Sequence, residues 1–271
     1  MMRSLWTGAS GMTAQMLAVD TISNNMANVN TTGFKRETIE FQSLLYETLQ
    51  GAGHNPSIVG NRPNNLQVGH GVRSVASTRN FSMGQLEPSS SPTHFALHGN
   101  GFFQVDRGNG NIAYTRDGAF ALSATPGNLR LVTNDGFPVL DANGNFIDFP
   151  DNMDLSALSV SREGAFSLIH QGEAVDLGMQ IGLFQFPNRQ GLEAIGGNLF
   201  TQTVASGAPI ADTPGAVGTP TQVVHRHIER SNVQIAEEMV NLIVSQRAFE
   251  INSRIIQTSD DMLQQATNLR R

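Results

Sequence analysis

The chain contains no cysteine, which excludes disulfide bonds, thiolate metal sites and cysteine nucleophiles. Charge is also scarce, because only 15% of the residues are Asp, Glu, Lys or Arg, against about a quarter in an average soluble domain. Asn, Gln, Ser and Thr together are twice as numerous as the charged residues. The net charge of −6 does not supply the extended cationic surface that a nucleic-acid backbone needs, so we do not expect a nucleic-acid partner.

Long apolar runs are missing as well. No run approaches the roughly 18 residues of a membrane helix, so we do not expect a membrane-embedded protein. Arg3, Gln15 and Asp20 interrupt the first 30 residues, which therefore lack the apolar segment of a cleavable secretory signal. Charge and hydropathy alone predict a cytoplasmic protein, unless the chain is exported by a route that does not require a cleaved signal.

The N-terminal residues 4–27 carry a helical pattern with a seven-residue repeat. Apolar and small residues alternate at intervals of four and three, which is typical of a helix that packs along a partner. Short polar residues and Gly33 follow, and they should end the helix. The residues that recur every seven positions are Leu5, Met12, Val19 and Met26.

A second and longer pattern of the same kind occupies residues 232–269. A helix of this length would span ~55 Å, which is long for a compact domain of this size. The pattern leaves open whether the two helices pair within one chain or pack between chains. Its seven-residue column consists of Ile235, Leu242, Phe249, Ile256 and Leu263.

The middle of the chain predicts β-structure. Short apolar stretches in residues 95–205 are separated by turn-forming pairs, which indicates an all-β domain built from hairpins. These pairs are Asp117-Gly118, Asp135-Gly136, Asn143-Gly144 and Glu163-Gly164.

Two Gly/Pro-rich segments, around residues 50–66 and 205–221, are predicted to be extended connectors. They help to divide the chain into segments. The predicted fold is mixed α and β, with long coiled-coil-like terminal helices flanking a central all-β domain. The predicted segments are an N-terminal helix with a signature loop (1–36), an extended segment with a Gly/Pro-rich insertion (37–75), the β domain with its connector (76–225) and a C-terminal helix (226–271).

The sequence contains only weak indications of a catalytic, metal or cofactor site. His225 and His227 form an H-x-H pair without a third ligand at a readable spacing, so we expect exposed histidines rather than a metal site. The stretch 141–145 has a faint likeness to a calcium loop but is better explained as a hairpin turn. Gly99-Asn100-Gly101 lacks the third glycine of a dinucleotide loop and predicts a tight turn before a strand. No catalytic residues, metal or cofactor are predicted.

The stretch 22–35, with the sequence ISNNMANVNTTGFK, closely resembles the N-terminal signature of bacterial flagellar rod and hook proteins. The stretch 231–269 resembles the C-terminal helix of that family, and residues 99–105 and 114–118 resemble its β domain. The resemblance covers essentially the whole chain. The residues that match the signature most specifically are Asn24, Asn25, Asn28, Gly33, Phe34 and Lys35, the last being the only lysine.

The resemblance implies a function that composition does not show. Subunits of this family leave through the flagellar type III export apparatus without a cleaved signal and stack helically into the hollow shaft of the basal body. The terminal helices then form the inner tube, the β domain faces outward, and helices that are disordered in the free subunit fold on assembly. The partners implied are other copies of the chain, the proximal rod and hook proteins, and the surrounding P and L rings. The location implied spans the periplasm to the outer membrane.

Within the family, the start Arg3-Ser4-Leu5-Trp6 and the Gly/Pro-rich stretch after Tyr46 are typical of distal rod members. Two alternatives from the same family are a proximal rod and a hook-type protein. Alternatives from other classes are a secreted glycan-binding β module and a hydrolase. A binding module should capture a glycan as a monomer, and a hydrolase should depend on a titratable cleft, whereas a rod subunit should polymerise as its concentration rises.

Deletion of residues 47–66 should leave export and the terminal helices intact but make the rod curved or flexible. The stretch has no hydrophobic periodicity and should not fold alone, so we expect it to gain order by lying across neighbouring subunits. Its prolines reduce the entropy lost on ordering. Electron microscopy of rods from the deletion strain measures the curvature. Straight rods would contradict the hypothesis, and a complete absence of rods would assign the stretch to folding instead.

Overall fold

The computed structural model of the chain describes residues 2–50, 65–108, 110–151, 153, 155–170, 173–213 and 219–268. The described residues form two compact units. The helical unit contains residues 2–26, 37–50, 65–78 and 234–268, and the β unit contains residues 27–36 together with the described part of 79–233. The signature loop 27–36 therefore belongs to the β unit, although it is contiguous with the first helix in sequence.

The helical unit consists of two long helices and four strands. The strands form two-stranded antiparallel pairs, in which β1 pairs with β4 and β2 with β3. Side chains also connect the first pair, since Arg73 Nη2 donates to Gln42 Oε1 at 3.0 Å. The predicted extended segment 37–75 thus forms strands at the described positions. The elements are α1 Met2–Ala27, β1 Glu37–Ser43, β2 Tyr46–Gln50, β3 Leu66–Gly69, β4 Val72–Arg79 and α2 Ile235–Asn268.

The β unit is built from short antiparallel strands. Its largest sheet has six strands in the order β16-β17-β8-β7-β15-β18, with Phe103 of β7 opposite Thr115 of β8. Smaller sheets have the orders β11-β10-β9, β12-β13-β14, β19-β6 and β20-β5. The strands are β5 Leu86–Pro88, β6 Phe95–His98, β7 Phe102–Asp106, β8 Ile112–Thr115, β9 Ala121–Thr125, β10 Asn128–Val132, β11 Asp148–Pro150, β12 Leu158–Val160, β13 Ala165–His170, β14 Glu173–Gln180, β15 Leu183–Gln185, β16 Glu193–Gly196, β17 Leu199–Thr201, β18 Ile210–Ala211, β19 Gln222–His225 and β20 His227–Glu229.

Three of the four predicted turn pairs make tight turns. The turns close through backbone hydrogen bonds from Gly136 to Thr133, from Gly144 to Asp141 and from Gly164 to Ser161. The fourth prediction was wrong, because Asp117-Gly118 lies between two strands that are not paired with each other. Gly118 instead passes so close to β6 that an added Cβ would stand 1.5 Å from the carbonyl oxygen of Phe95. The glycine is needed there for close approach and not for a turn.

The core of the β unit is aromatic and divides into two clusters. Phe102 and Phe103 are adjacent in β7, point to opposite faces of the sheet and are both fully buried. Phe103 belongs to the larger cluster, where its ring packs edge-to-face on Phe120, and Phe102 belongs to the smaller cluster with Phe81 and Phe200. The largest sheet therefore carries apolar side chains on both faces.

Within the helical unit, α1 and α2 contact each other in antiparallel register. Ser4 Oγ lies 3.1 Å from Ser259 Oγ. An added Cβ at Gly8 would stand 3.0 Å from Ile256, and one at Gly11 would stand 2.8 Å from the Asn252 amide. Small residues on α1 therefore let the two helices approach closely.

These features confirm a mixed fold with one helix near each end and a β-rich middle. The helix boundaries differ slightly from the predicted ones, since α1 begins at Met2 and α2 covers Ile235–Asn268. Residues 51–64, which make up most of the Gly/Pro-rich insertion, and residues 269–271 lie outside the described residues.

Replacement of Ser259 by Leu should push the helices of the helical unit apart. Ser259 is buried against Ser4, and overfilling a close contact costs about 1–3 kcal/mol of stability. Hydrogen exchange in residues 2–20 should accelerate. The control is Thr258→Leu, which places the same side chain at the neighbouring exposed position. Equal exchange rates in the two variants would contradict the helix contact.

Candidate functional site

The motif residue Asn25 closes a backbone connection inside the helical unit. It is buried near the end of α1, where its side-chain oxygen accepts from Glu37 N at 3.0 Å and its amide donates to Glu37 O at 2.8 Å. The amide also lies 3.4 Å from Glu238 Oε2 of α2. One side chain thus satisfies both backbone groups of the first residue of β1 and contacts the second helix.

Three further motif residues lie in the signature loop of the β unit. Asn28 Oδ1 accepts from Thr31 Oγ1 at 3.1 Å and Phe34 N donates to Thr31 O at 3.4 Å, so the loop folds on itself. Gly33 has a φ of +68°, which favours glycine, and its N–H donates to Glu229 O at 2.8 Å. An added Cβ there would stand 2.7 Å from the backbone nitrogen of Asp117. No other residue fits this position without displacing the chain.

Lys35, the last motif residue, is fully buried. Its ammonium group donates to Glu229 Oε1 at 2.6 Å and to Ser82 O at 2.8 Å. The same carboxylate oxygen accepts from Gly84 N at 2.8 Å. The only lysine of the chain therefore connects the signature loop to the strand that ends the β unit.

Arg116 completes this buried cluster from the opposite side of Glu229. Its Nε donates to Glu229 Oε2 at 3.0 Å, and its Nη1 donates to the carbonyls of Gly99 at 2.9 Å and Gly101 at 3.1 Å. Burial, together with the Arg116 charge, lowers the pKa of Lys35 to about 8 against the opposing effect of Glu229. Two cations share one carboxylate, and the cluster has a fixed geometry.

The Lys35–Glu229–Arg116 cluster holds structure together and has no surface on which a substrate could react. All three side chains are fully buried and bonded to protein groups. Sequence reasoning identified Lys35 but not Glu229 or Arg116 as members of a site. No local signal in the sequence could have found these partners, because Glu229 lies 194 residues from Lys35.

Of the helical columns predicted as the assembly seam, Ile256 takes part in the contact between α1 and α2, where it faces Gly8. The contact also uses Ser4 and Gly11 of α1 and the polar column of α2 with Glu238, Asn252 and Ser259. The predicted columns remain at least partly accessible. Ile235 and Phe249 are exposed, and Leu5, Met12, Val19, Met26, Leu242, Ile256 and Leu263 are half-buried.

A shallow apolar groove of about 340 Å³ lies between the helices beside this contact. It is lined by Met16 and Val19 of α1 and by Gln246, Phe249 and Glu250 of α2. Met16 and Phe249 are 52% and 41% exposed. Two predicted seam residues, Val19 and Phe249, thus border one groove in the helical unit.

The two histidines of the H-x-H pair are engaged by backbone carbonyls. His225 Nε2 lies 2.7 Å from Pro92 O, and His227 Nδ1 lies 2.9 Å from His225 O. Burial lowers the pKa of His225, whose ring stacks on Phe95. In the part of the chain that the structure describes, no three His, Asp or Glu side chains are grouped as metal ligands.

The stretch 141–145 forms the predicted turn. Asp141 Oδ1 accepts from Ala142 N and Gln180 N, so this carboxylate closes the turn that was weighed against a calcium loop. Gly99-Asn100-Gly101 connects β6 to β7, and Gly99 has a φ of +135°. Among the described residues, no helix is long and apolar enough to cross a membrane.

Three family models match separate parts of the chain. Residues 5–35 match the flagella basal body rod protein model, residues 96–175 the flagellar hook protein FlgE/F/G D1 domain, and residues 225–269 the flagellar basal body rod FlgEFG protein C-terminal model. The three matches cover α1 with the signature loop, the centre of the β unit and α2. They define the class as the rod and hook proteins of the bacterial flagellum.

Relatives that match over their full length show which proteins of this class the chain is similar to. The flagellar basal-body rod protein FlgG of Buchnera aphidicola is 45% identical over 99% of this chain and 100% of its own length. FlgG of Borreliella burgdorferi is 46% identical over 100% of both chains, and FlgG of Bacillus subtilis is 38% identical over 100% of both. The chain belongs to the FlgG family of flagellar basal-body rod proteins and is a structural rod subunit.

Replacement of Glu229 by Gln should strongly destabilise the β unit. The variant leaves Lys35 and Arg116 buried without a counter-charge, and breaking a buried ion pair in this way costs about 3–5 kcal/mol. Denaturant unfolding measures the loss. The control is Glu87→Gln, which removes an exposed ion pair with Arg230 and should change the stability by less than about 1 kcal/mol. Similar losses in both variants would refute a special role for the cluster.

Proposed function

We propose that this rod subunit assembles helically with copies of itself into the distal rod, and that α1 and α2 provide the contacts between subunits. The observation that carries the proposal is the apolar surface of α2. Met239, Val240, Ile243, Val244 and Ile251 are all between 49% and 61% exposed. A monomeric soluble protein rarely leaves so many large apolar side chains in water on one element.

The exposed apolar surface of α2 is wide enough to contact more than one partner helix. At about 100° per residue, the exposed apolar residues from Met239 to Met262, Phe249 included, spread over a sector of about 240°. The column that contacts α1 lies outside this sector. A single partner helix needs a stripe of about 100°, so the remaining surface of α2 has room for helices of neighbouring subunits.

Coiled-coil packing between subunits is the arrangement that we infer for these helices. The half-buried column residues Leu242, Ile256 and Leu263 border the α1 contact, and the groove at Phe249 offers a hole for a side chain from another helix. The sequence pattern has the seven-residue repeat that such packing requires. The predicted seam would then act between chains, beside the polar contact within one chain.

The remaining partners follow from the family. A distal rod subunit joins the proximal rod to the hook, lies inside the P and L rings and transmits torque from the motor. It reaches the periplasm through the flagellar export apparatus without a cleaved signal. The relatives named FlgG at 38–46% identity over their full length support this position among the rod proteins.

Replacement of Phe249 by Asp should block assembly at the concentrations where the unsubstituted protein forms tubes, and should leave the β unit folded. Burying such a side chain contributes about 1.5–3 kcal/mol per contact, and a carboxylate cannot be buried there unpaired. The concentration at which tubes form should rise by about 10-fold to 100-fold or more. Sedimentation and electron microscopy of the purified protein measure this threshold, and circular dichroism reports folding.

The matched control is Val204→Asp, which introduces the same charge at a fully exposed apolar residue of the β unit. This variant should assemble at the concentration of the unsubstituted protein. Normal tubes from Phe249→Asp would refute α2 as the assembly surface. Failure of both variants would show that assembly responds to added charge in general and would equally refute the specific role of α2.

A further inference from the structure

The β unit contains a polar pocket that the proposed function does not use. Its volume is about 580 Å³, and three chain segments that are distant in sequence form its walls. These segments are residues 80–83, which precede β5, residues 98–100, which form the turn before β7, and residues 187–190, which follow β15. The lining residues that carry the argument are Ser82, Gly99, Asn100, Arg189 and Gln190.

Arg189 gives this pocket a positive charge that its walls do not neutralise. No acidic side chain is among the described residues that line the pocket. The guanidinium Nη1 of Arg189 donates to the neutral Asn100 Oδ1 at 2.7 Å. Burial lowers the pKa of Arg189, and the nearby positive charge of Arg116 adds to the effect.

Further positive charge stands directly behind the pocket wall. Ser82 and Gly99 both line the pocket, and their carbonyl oxygens accept hydrogen bonds from Lys35 Nζ and Arg116 Nη1. Those two cations already share the single carboxylate of Glu229. Arg189 with the buried cluster therefore amounts to three cations and one anion around one accessible cavity.

We propose that this pocket is an oxyanion-binding site in which Arg189 pairs with a carboxylate or phosphate group. The planar guanidinium matches two oxygens of such a group, and the exposed amides of Asn100 and Gln190 border the same space. The oxyanion comes from one of two sources. One is a free anion, and the other is an acidic side chain of a second copy, a source that rests on the proposed self-assembly.

The first experiment titrates inorganic phosphate, and separately N-acetylglutamate, into the dilute full-length protein. Amide NMR shifts and calorimetry should show saturable binding confined to residues 80–83, 98–100 and 187–190. Arg189→Gln should weaken this binding by about 10-fold to 100-fold, because it removes a charge-assisted hydrogen bond. Arg189→Lys should retain part of it. The control Arg162→Gln removes an exposed arginine of the same unit and should bind like the unsubstituted protein.

A second variant tests the pocket while Arg189 itself is retained. Gln190 is an exposed lining residue, and Gln190→Glu places a carboxylate beside Arg189 that should occupy the site and exclude added anions. Thermal unfolding should show that this variant folds normally. Binding that persists unchanged in both Arg189→Gln and Gln190→Glu would overturn the proposal, as would the absence of saturable binding of either probe.

Assembly measurements distinguish the two sources of the oxyanion. If a second copy supplies the carboxylate, Arg189→Gln should raise the concentration needed for tubes, and added phosphate should inhibit assembly of the unsubstituted protein. If the ligand is a free anion, Arg189→Gln should assemble normally while its phosphate binding is lost. Because the NMR titration uses unassembled protein, failure of the assembly proposal would leave the anion site testable by itself.

Discussion

The buried carboxylate of Glu229 is the group on which the arrangement of the β unit depends. A carboxylate without partners in this position would cost several kcal/mol, so its oxygens require the donors of Lys35, Arg116 and Gly84. Those donors come from the signature loop, from the residue that follows β8, and from the segment before β5. Segments separated by almost 200 residues in sequence must therefore meet before any of them is stable. The same cluster leaves an excess of positive charge beneath the neighbouring polar pocket.

The helical unit is held together by a different kind of contact. Its two helices meet through serine, glycine and amide side chains together with Ile256, and the small residues allow close approach. The larger apolar side chains of α2 remain in water, where each carries an unfavourable hydration free energy. Association with further helices removes this cost. A subunit of a polymer can be built in this way, because the apolar surface that one chain leaves open is covered by the next.

Periodicity and turn chemistry predicted the elements well and their contacts less well. The seven-residue repeats located both helices, and three of four turn pairs were correct because their backbone conformation is a local property. The turn prediction for Asp117-Gly118 was wrong because Gly118 is required by the close approach of the chain to Phe95, which is a tertiary contact. The apolar columns contributed Ile256 to the α1–α2 contact, but an apolar pattern could not show that small and polar residues such as Ser4 and Ser259 also meet there.

The sequence by itself determined the mixed composition of the fold, the lengths of the terminal helices and the family signature that ends in Lys35. These features depend on residues that are close together in the chain, so their pattern is visible without a fold. Only the tertiary structure decided that Lys35 pairs with Glu229 and Arg116, that Asn25 holds both backbone groups of Glu37, and that Arg189 faces a pocket with no acidic lining among the described residues. Those pairings join segments far apart in sequence, and their energy arises from burial, which no local pattern records.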